Sequence, residues 1–206
     1  MKRVWYDWYG GNMWLFHVIN DFRPPAWNHF MRLVSAASDH RSFARYVTVL
    51  CAIGVAAVAR ALVRRHGEAT AFRWFTVLCV FSLGTALDHS VVHAMKMWFA
   101  WPRPGVVLPP GRYIGHARGL GTSFPSGHAS FATVLAVAVW PTAPFVIRIL
   151  LATGVALVCV SRVSLGLHFP ADVVGGVLVG WLLATFVQRM LGGLWRVVTR
   201  RRHAVP

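Results

Sequence analysis

Charged side chains are scarce in this chain. They make up 13% of its 206 residues, against about 25% in an ordinary soluble domain. With 56% hydrophobic residues and a mean hydropathy of +0.54, that shortage excludes a water-soluble globular domain. It indicates a membrane protein, long enough for a single domain. Cysteine is also rare. Cys51, Cys79 and Cys159 all lie inside apolar runs, as small hydrophobes do, which argues against disulfides or thiolate metal ligands. No cleavable signal peptide is expected, because Lys2 and Arg3 are followed by Trp5, Asp7 and Trp8 rather than by an apolar core and a small-residue cleavage site. Internal repeats and low-complexity tracts are missing too.

Basic charge is what the chain does have: its formal net charge is +15. The basic residues gather at the ends of apolar runs rather than on one polar face. That pattern fits membrane topology and anionic head groups, with no nucleic-acid partner. A bilayer core takes about 20 apolar residues in a helix, and five segments qualify, at 43–63, 71–97, 126–140, 145–165 and 172–191. The third is short but has uncharged flanks. Residues 1–40 read as an interfacial segment, with Trp5, Tyr6, Trp8, Tyr9 and Trp14 clustered and Asp21, Arg23, Pro24 and Pro25 breaking the pattern. A crossing there would make six spans. Residues 41–191 then form a transmembrane core and 192–206 a basic cytoplasmic tail. The expected fold is an all-α polytopic membrane helix bundle.

Arg60, Arg64, Arg65 and Arg73 flank one loop, Arg148 another, and Arg189, Arg196 and Arg200–Arg202 follow the last span. These mark one side as cytoplasmic. The opposite side receives the end of span two, the start of span three, the end of span four and the start of span five. Three polar clusters fall at those places: Lys96 with Arg103-Pro104, Pro125-Ser126-Gly127-His128, and Ser161-Arg162 followed by His168 and Asp172.

Each cluster suits phosphate chemistry. Asp172, in the first turn of a helix opened by Pro170, can hold one ring nitrogen of His168 and leave the other to attack. His128 sits at a helix start where backbone N–H groups and the dipole favour an anion, and it can protonate a departing oxygen. Ser126 adds a hydroxyl donor and Gly127 permits close backbone approach. Lys96, Arg103 and Arg162 can offset a dianion. Read singly, each cluster fits a helix cap or a snorkelling cation; their arrival at one face makes them a site. His89 and His93, four residues apart beside Asp88, share one helix face. They lack the H-E-x-x-H pattern, so no metal site is expected, and Asp88 is expected to orient Lys96 or another polar group. Arg112, Tyr113, His116 and Arg118 belong to an outer loop that either contacts a head group or is simply solvated. Trp98 and Trp101 read as interfacial anchors.

Lys96-x6-Arg103-Pro104, Pro125-Ser126-Gly127-His128 and Ser161-Arg162-x5-His168-x3-Asp172 together resemble the three signature motifs of the type 2 phosphatidic acid phosphatase (PAP2) superfamily. All occur in order with no signature position missing, from Lys96 to Asp172. The first forty residues do not contribute to the likeness, and one N-terminal span common in such proteins is not evident. The resemblance implies a helical membrane fold and hydrolysis of lipid phosphates or diphosphates without metal or cofactor. It implies His168 as nucleophile forming a phosphohistidine, Asp172 orienting it, and His128 as acid for the leaving group. Lys96, Arg103, Ser126, Gly127 and Arg162 would hold the phosphate. Soluble acid phosphatases and vanadium haloperoxidases share the motifs, but the composition argues against both. Bacterial relatives of this size suggest undecaprenyl diphosphate, phosphatidylglycerophosphate, phosphatidic acid or lipid A as substrate, at the outer face of the cytoplasmic membrane. A lipid-to-lipid phosphotransferase and a non-catalytic lipid-binding or transport protein are the alternatives.

Overall fold

The computed structural model describes residues 4–63, 67–108 and 122–202. Among them the chain is helical, with no strand. It runs α1 (Val4–Asp7), α2 (Gly11–Asn20), α3 (Pro25–Ala37), α4 (Phe43–Val63), α5 (Gly67–Phe99), α6 (Pro104–Val107), α7 (Gly127–Val139), α8 (Phe145–Ser164) and α9 (Pro170–Arg202), with short 3-10 turns at Trp8–Gly10 and His40–Ser42.

Proline and glycine set the boundaries. Pro25, Pro104 and Pro170 open α3, α6 and α9, where a missing N–H costs nothing. Pro141 and Pro144 separate α7 from α8. Gly166, at φ 69°, ends α8 in the left-handed cap conformation that glycine adopts without strain.

Helices α4, α5, α8 and α9 are long and apolar enough to cross a bilayer. The fifth expected span is α7, which has only 13 residues, about 20 Å by helical rise against a hydrocarbon core of about 30 Å. It is an interior helix: α5, α8 and α9 pack around it, and Ala129, Phe131, Val134 and Ala138 are buried. The main core joins α4, α5, α7 and α9 through Leu50, Val77, Phe81, Phe131, Val134 and Ala184. Helix α9 continues through residues expected to form a basic tail.

The N-terminal helices pack on the bundle. α3 lies along α8, and α2 touches α8 and α9. Phe16 inserts beside Ala129, Val163, Phe169 and Val173, and Met31 beside Leu165 and Leu167. Both are fully buried, each contributing about 1.5–3 kcal/mol relative to exposure to water. Cys51, Cys79 and Cys159 are free and half-buried. Trp98 is 85% exposed, as an anchor would be. Trp101 instead packs, at tilted ring angles, among Tyr6, Phe99 and Phe124.

Candidate active site

The turn between α8 and α9 carries His168. Its backbone N–H and that of Leu167 both donate to the carbonyl of Arg162, at 3.2 and 3.0 Å, while Gly166 N–H donates to Val163 O at 2.9 Å. These bonds satisfy carbonyls a helix end leaves open. They also curl the chain so that His168 returns beside the last turn of α8.

Asp172 then acts on several groups. Its Oδ2 accepts the N–H of Phe169 at 2.8 Å, a reach-back from the third helical position that caps α9. The same oxygen accepts the hydroxyl of Ser123 and lies 3.4 Å from His168 Nδ1. Oδ1 accepts the Tyr6 hydroxyl at 2.9 Å. Asp172 is fully buried and His168 is 2% exposed, so an unpartnered charge here would be costly. Burial pulls His168 below its ordinary 6.5 to about 4; the Asp172 contact opposes this, and Arg162 and Lys96 add to it. Burial, then Asp172, raises the Tyr6 phenol above its ordinary 10.0, which keeps it a donor.

Ser126 caps α7 and ties the two helix starts together, its N–H donating to Asp172 O at 2.9 Å. The contact needs a glycine opposite. A Cβ at Gly176 would lie 2.3 Å from Ser126 O, and one at Gly180 2.4 Å from Ser130 O. Small residues allow such close helix approach inside a membrane. The Phe124–Pro125 peptide is cis.

The cations come from three elements. Lys96, near the end of α5, donates to Thr122 O at 3.0 Å. Arg103 caps α6 from an extended backbone. Arg162, 6% exposed, donates through Nη1 to Ser35 Oγ of α3. Yet Arg103 Nε, Arg162 Nε and Ser126 Oγ are buried with no hydrogen-bond partner among the described residues.

A cavity of about 310 Å³ is lined by Lys96, Arg103, Gly127, His128, Arg162 and His168. Asp172 touches His168 of this wall and Ser126, next to Gly127, bonds to Asp172, so all eight residues singled out in the sequence lie close together. Three orphaned donors around such a hollow, at the start of α7, fit an anion. Asp88 does not orient Lys96: it accepts the hydroxyl of Ser130 and lies 3.8 Å from His40 Nε2. Arg112, Tyr113, His116 and Arg118 lie outside the described residues. Among the described residues no three His, Cys, Asp or Glu side chains group as a metal site would need.

Sequence reasoning missed Tyr6, Ser35, His40 and Ser123. The first three belong to no motif and reach the site from 127 to 166 residues away or across helices. Ser123 precedes the Pro125 motif by two positions, a proximity that could have drawn attention to it. The wall formed by His89 and His93 was partly legible, since His93 precedes Lys96 by three residues on one helix face.

A family model described as the PAP2 superfamily matches residues 76–196. An undecaprenyl-diphosphatase of Sulfolobus acidocaldarius is 42% identical over 32% of this chain and 30% of that protein. Phosphatidylglycerophosphatase B of Escherichia coli is 42% identical over 36% of this chain and 32% of its own. The chain thus spans about a third of the length of these curated relatives. Among solved structures, Aquifex aeolicus LpxE superposes with a TM-score of 0.70 over 86% of this chain and 94% of that one, at 21% identity, a likeness of fold.

Proposed function

The chain belongs to the PAP2 superfamily, and we propose that it is a membrane-embedded phosphatase that hydrolyses a lipid phosphate or diphosphate through a phosphohistidine. The observation that carries this reading is the set of orphaned donors, Arg103 Nε, Arg162 Nε and Ser126 Oγ, on residues that line or adjoin a cavity whose wall also includes His128 and His168.

Asp172 holds Nδ1–H of His168, so Nε2 carries the lone pair that attacks phosphorus. Lys96, Arg103 and Arg162 neutralise the phosphoryl oxygens, with Ser126 and the N–H groups at the start of α7 completing the cradle. The P–O bond to the lipid breaks, its electron pair leaves with the oxygen, and His128 supplies the proton. Water then attacks the phosphohistidine and His128 takes its proton back. The P–N bond breaks, its electrons return to Nε2, and phosphate departs. The depressed proton affinity of His168 suits this role, because the ring is a free base at neutral pH. The basic loops at the opposite end of the bundle support a site on the outer face of the cytoplasmic membrane.

The test is His168→Ala in purified protein. Loss of phosphate release and of labelled phosphoenzyme, in a variant with wild-type helicity, is expected. Continued phosphate release refutes His168 as nucleophile, and label carried to a second lipid rather than to water would mark a transferase.

A further inference from the structure

The catalytic groups occupy only part of the cavity wall. His40, His89, Val92 and His93 line the rest. His89 and His93 are exposed to the cavity side of α5. The His40 ring lies 6.1 Å from that of His89 and 6.4 Å from that of His128, centre to centre. It stands against the start of α7, where a Cβ at Gly127 would come within 3.4 Å of its Cε1. Asp88 secures it from behind: this carboxylate is fully buried, and its Oδ2, 3.8 Å from His40 Nε2, has no hydrogen-bond partner among the described residues.

We propose that His40, His89 and His93 form a second anion subsite, taking the phosphate that adjoins the reacting one, which makes lipid diphosphates the substrate class of this site. The proposal rests on the phosphatase reading above. The direction of α5 carries it. Lys96 sits at the site end of α5, and His93 and His89 follow about 4.5 and about 10 Å further along the axis toward the middle of the bundle. A lipid tail must leave the reacting phosphate in that direction, since hydrocarbon lies there. In a monophosphate the first group on that path is an alkyl chain, which an apolar wall would serve. Three imidazoles on a bilayer-depth surface are costly without a polar occupant. An imidazole donates one N–H when neutral and two when protonated, so it suits a phosphate. With His40 Nε2 3.8 Å from Asp88 Oδ2, the protonated ring has both N–H groups to use, Nε2–H toward Asp88 and Nδ1–H toward a phosphate.

The chemistry balances as a diphosphate cleavage. His168 Nε2 bonds to the terminal phosphorus and the bond from that phosphorus to the bridging oxygen breaks. The lipid monophosphate leaves with the electron pair, and water releases inorganic phosphate from the phosphohistidine. Histidines that face the departing phosphate stabilise charge that grows as the bond breaks, which accelerates the step rather than only tightening binding.

The experiment measures phosphate release by purified wild-type protein and by the His89→Gln/His93→Gln double variant, on one polyprenyl tail offered as diphosphate and as monophosphate. The wild type is expected to favour the diphosphate at least tenfold in kcat/KM, and the double variant to lose at least tenfold of that ratio. A wild type that favours the monophosphate, or a ratio unmoved in the variant, overturns the subsite and leaves the phosphatase standing. Release from neither lipid overturns the phosphatase reading, and the subsite with it. Should the double variant lose both activities, His93→Gln alone reads the same ratio, and no fall there counts against the proposal.

Discussion

Tyr6 lies 166 residues from Asp172 in the chain, yet its hydroxyl donates to Oδ1 at 2.9 Å. Tyr6→Phe removes that one oxygen and keeps the ring, so packing on Trp101, Phe124 and Phe169 is retained. A hydrogen bond to a charged group contributes about 1.5–3 kcal/mol net. Asp172 keeps the Ser123 hydroxyl, the Phe169 N–H and His168, all on the other oxygen, so it stays in place but its orientation loosens. Unfolding free energy should fall by about 2 kcal/mol, the middle of that range. The carboxylate faces an imidazole whose ring becomes cationic as it bonds to phosphorus. If about 1.4 kcal/mol of the lost bond is felt in that step, kcat falls about tenfold, with KM within about twofold because the phosphate cradle is untouched. Steady-state phosphate release and thermal unfolding in detergent measure both. In an Asp172→Asn background Tyr6→Phe should cost less than in the wild type, because the Tyr6–Asp172 bond is common to both changes while the contact of the hydroxyl with Asn12 is lost in either background. A kcat unchanged by Tyr6→Phe, or losses that add fully in the double variant, would refute Tyr6 as a positioning residue.

Other outcomes follow from single contacts. Gly176→Ala places a methyl 2.3 Å from Ser126 O, so α7 and α9 must part; a loss of about 1–3 kcal/mol in stability and a raised KM are expected, and a neutral variant would mean the helices slide freely. Ser35→Ala removes the partner of Arg162 Nη1; at about 1 kcal/mol for a net hydrogen bond, KM should rise about fivefold, read from the same assay. His168, with a folded value of about 4 against 6.5 when unfolded, binds its proton less readily in the native state. Stability should therefore fall as pH drops from about 6.5 to about 4 and level off below. Histidine NMR should find this ring neutral at pH 5, and a midpoint near 6.5 would contradict its burial.

Composition and spacing were enough to identify a membrane helix bundle and, with the motif resemblance, to single out eight residues that the structure brings close together. The reason is local: span lengths follow from apolar runs, and motifs at helix ends inherit their side of the membrane from the number of crossings between them. Lys96, Ser126, Arg162 and His168 could be brought to one face by counting, without coordinates. Counting could not show that α7, at 13 residues the shortest of the five expected spans, is the one surrounded by α5, α8 and α9. Only packing reveals which helix its neighbours enclose.

What only the tertiary structure decided is the support around those residues. Tyr6 on Asp172, Ser35 on Arg162 and His40 on Asp88 join an aromatic N-terminal segment to a site built more than fifty residues later. Hydropathy marks such a segment as amphipathic and says nothing of which polar atom it meets. A hydrogen bond between distant residues has no period in the sequence; it exists because Phe16 and Met31 bury themselves against α8 and α9 and carry their neighbours to the site.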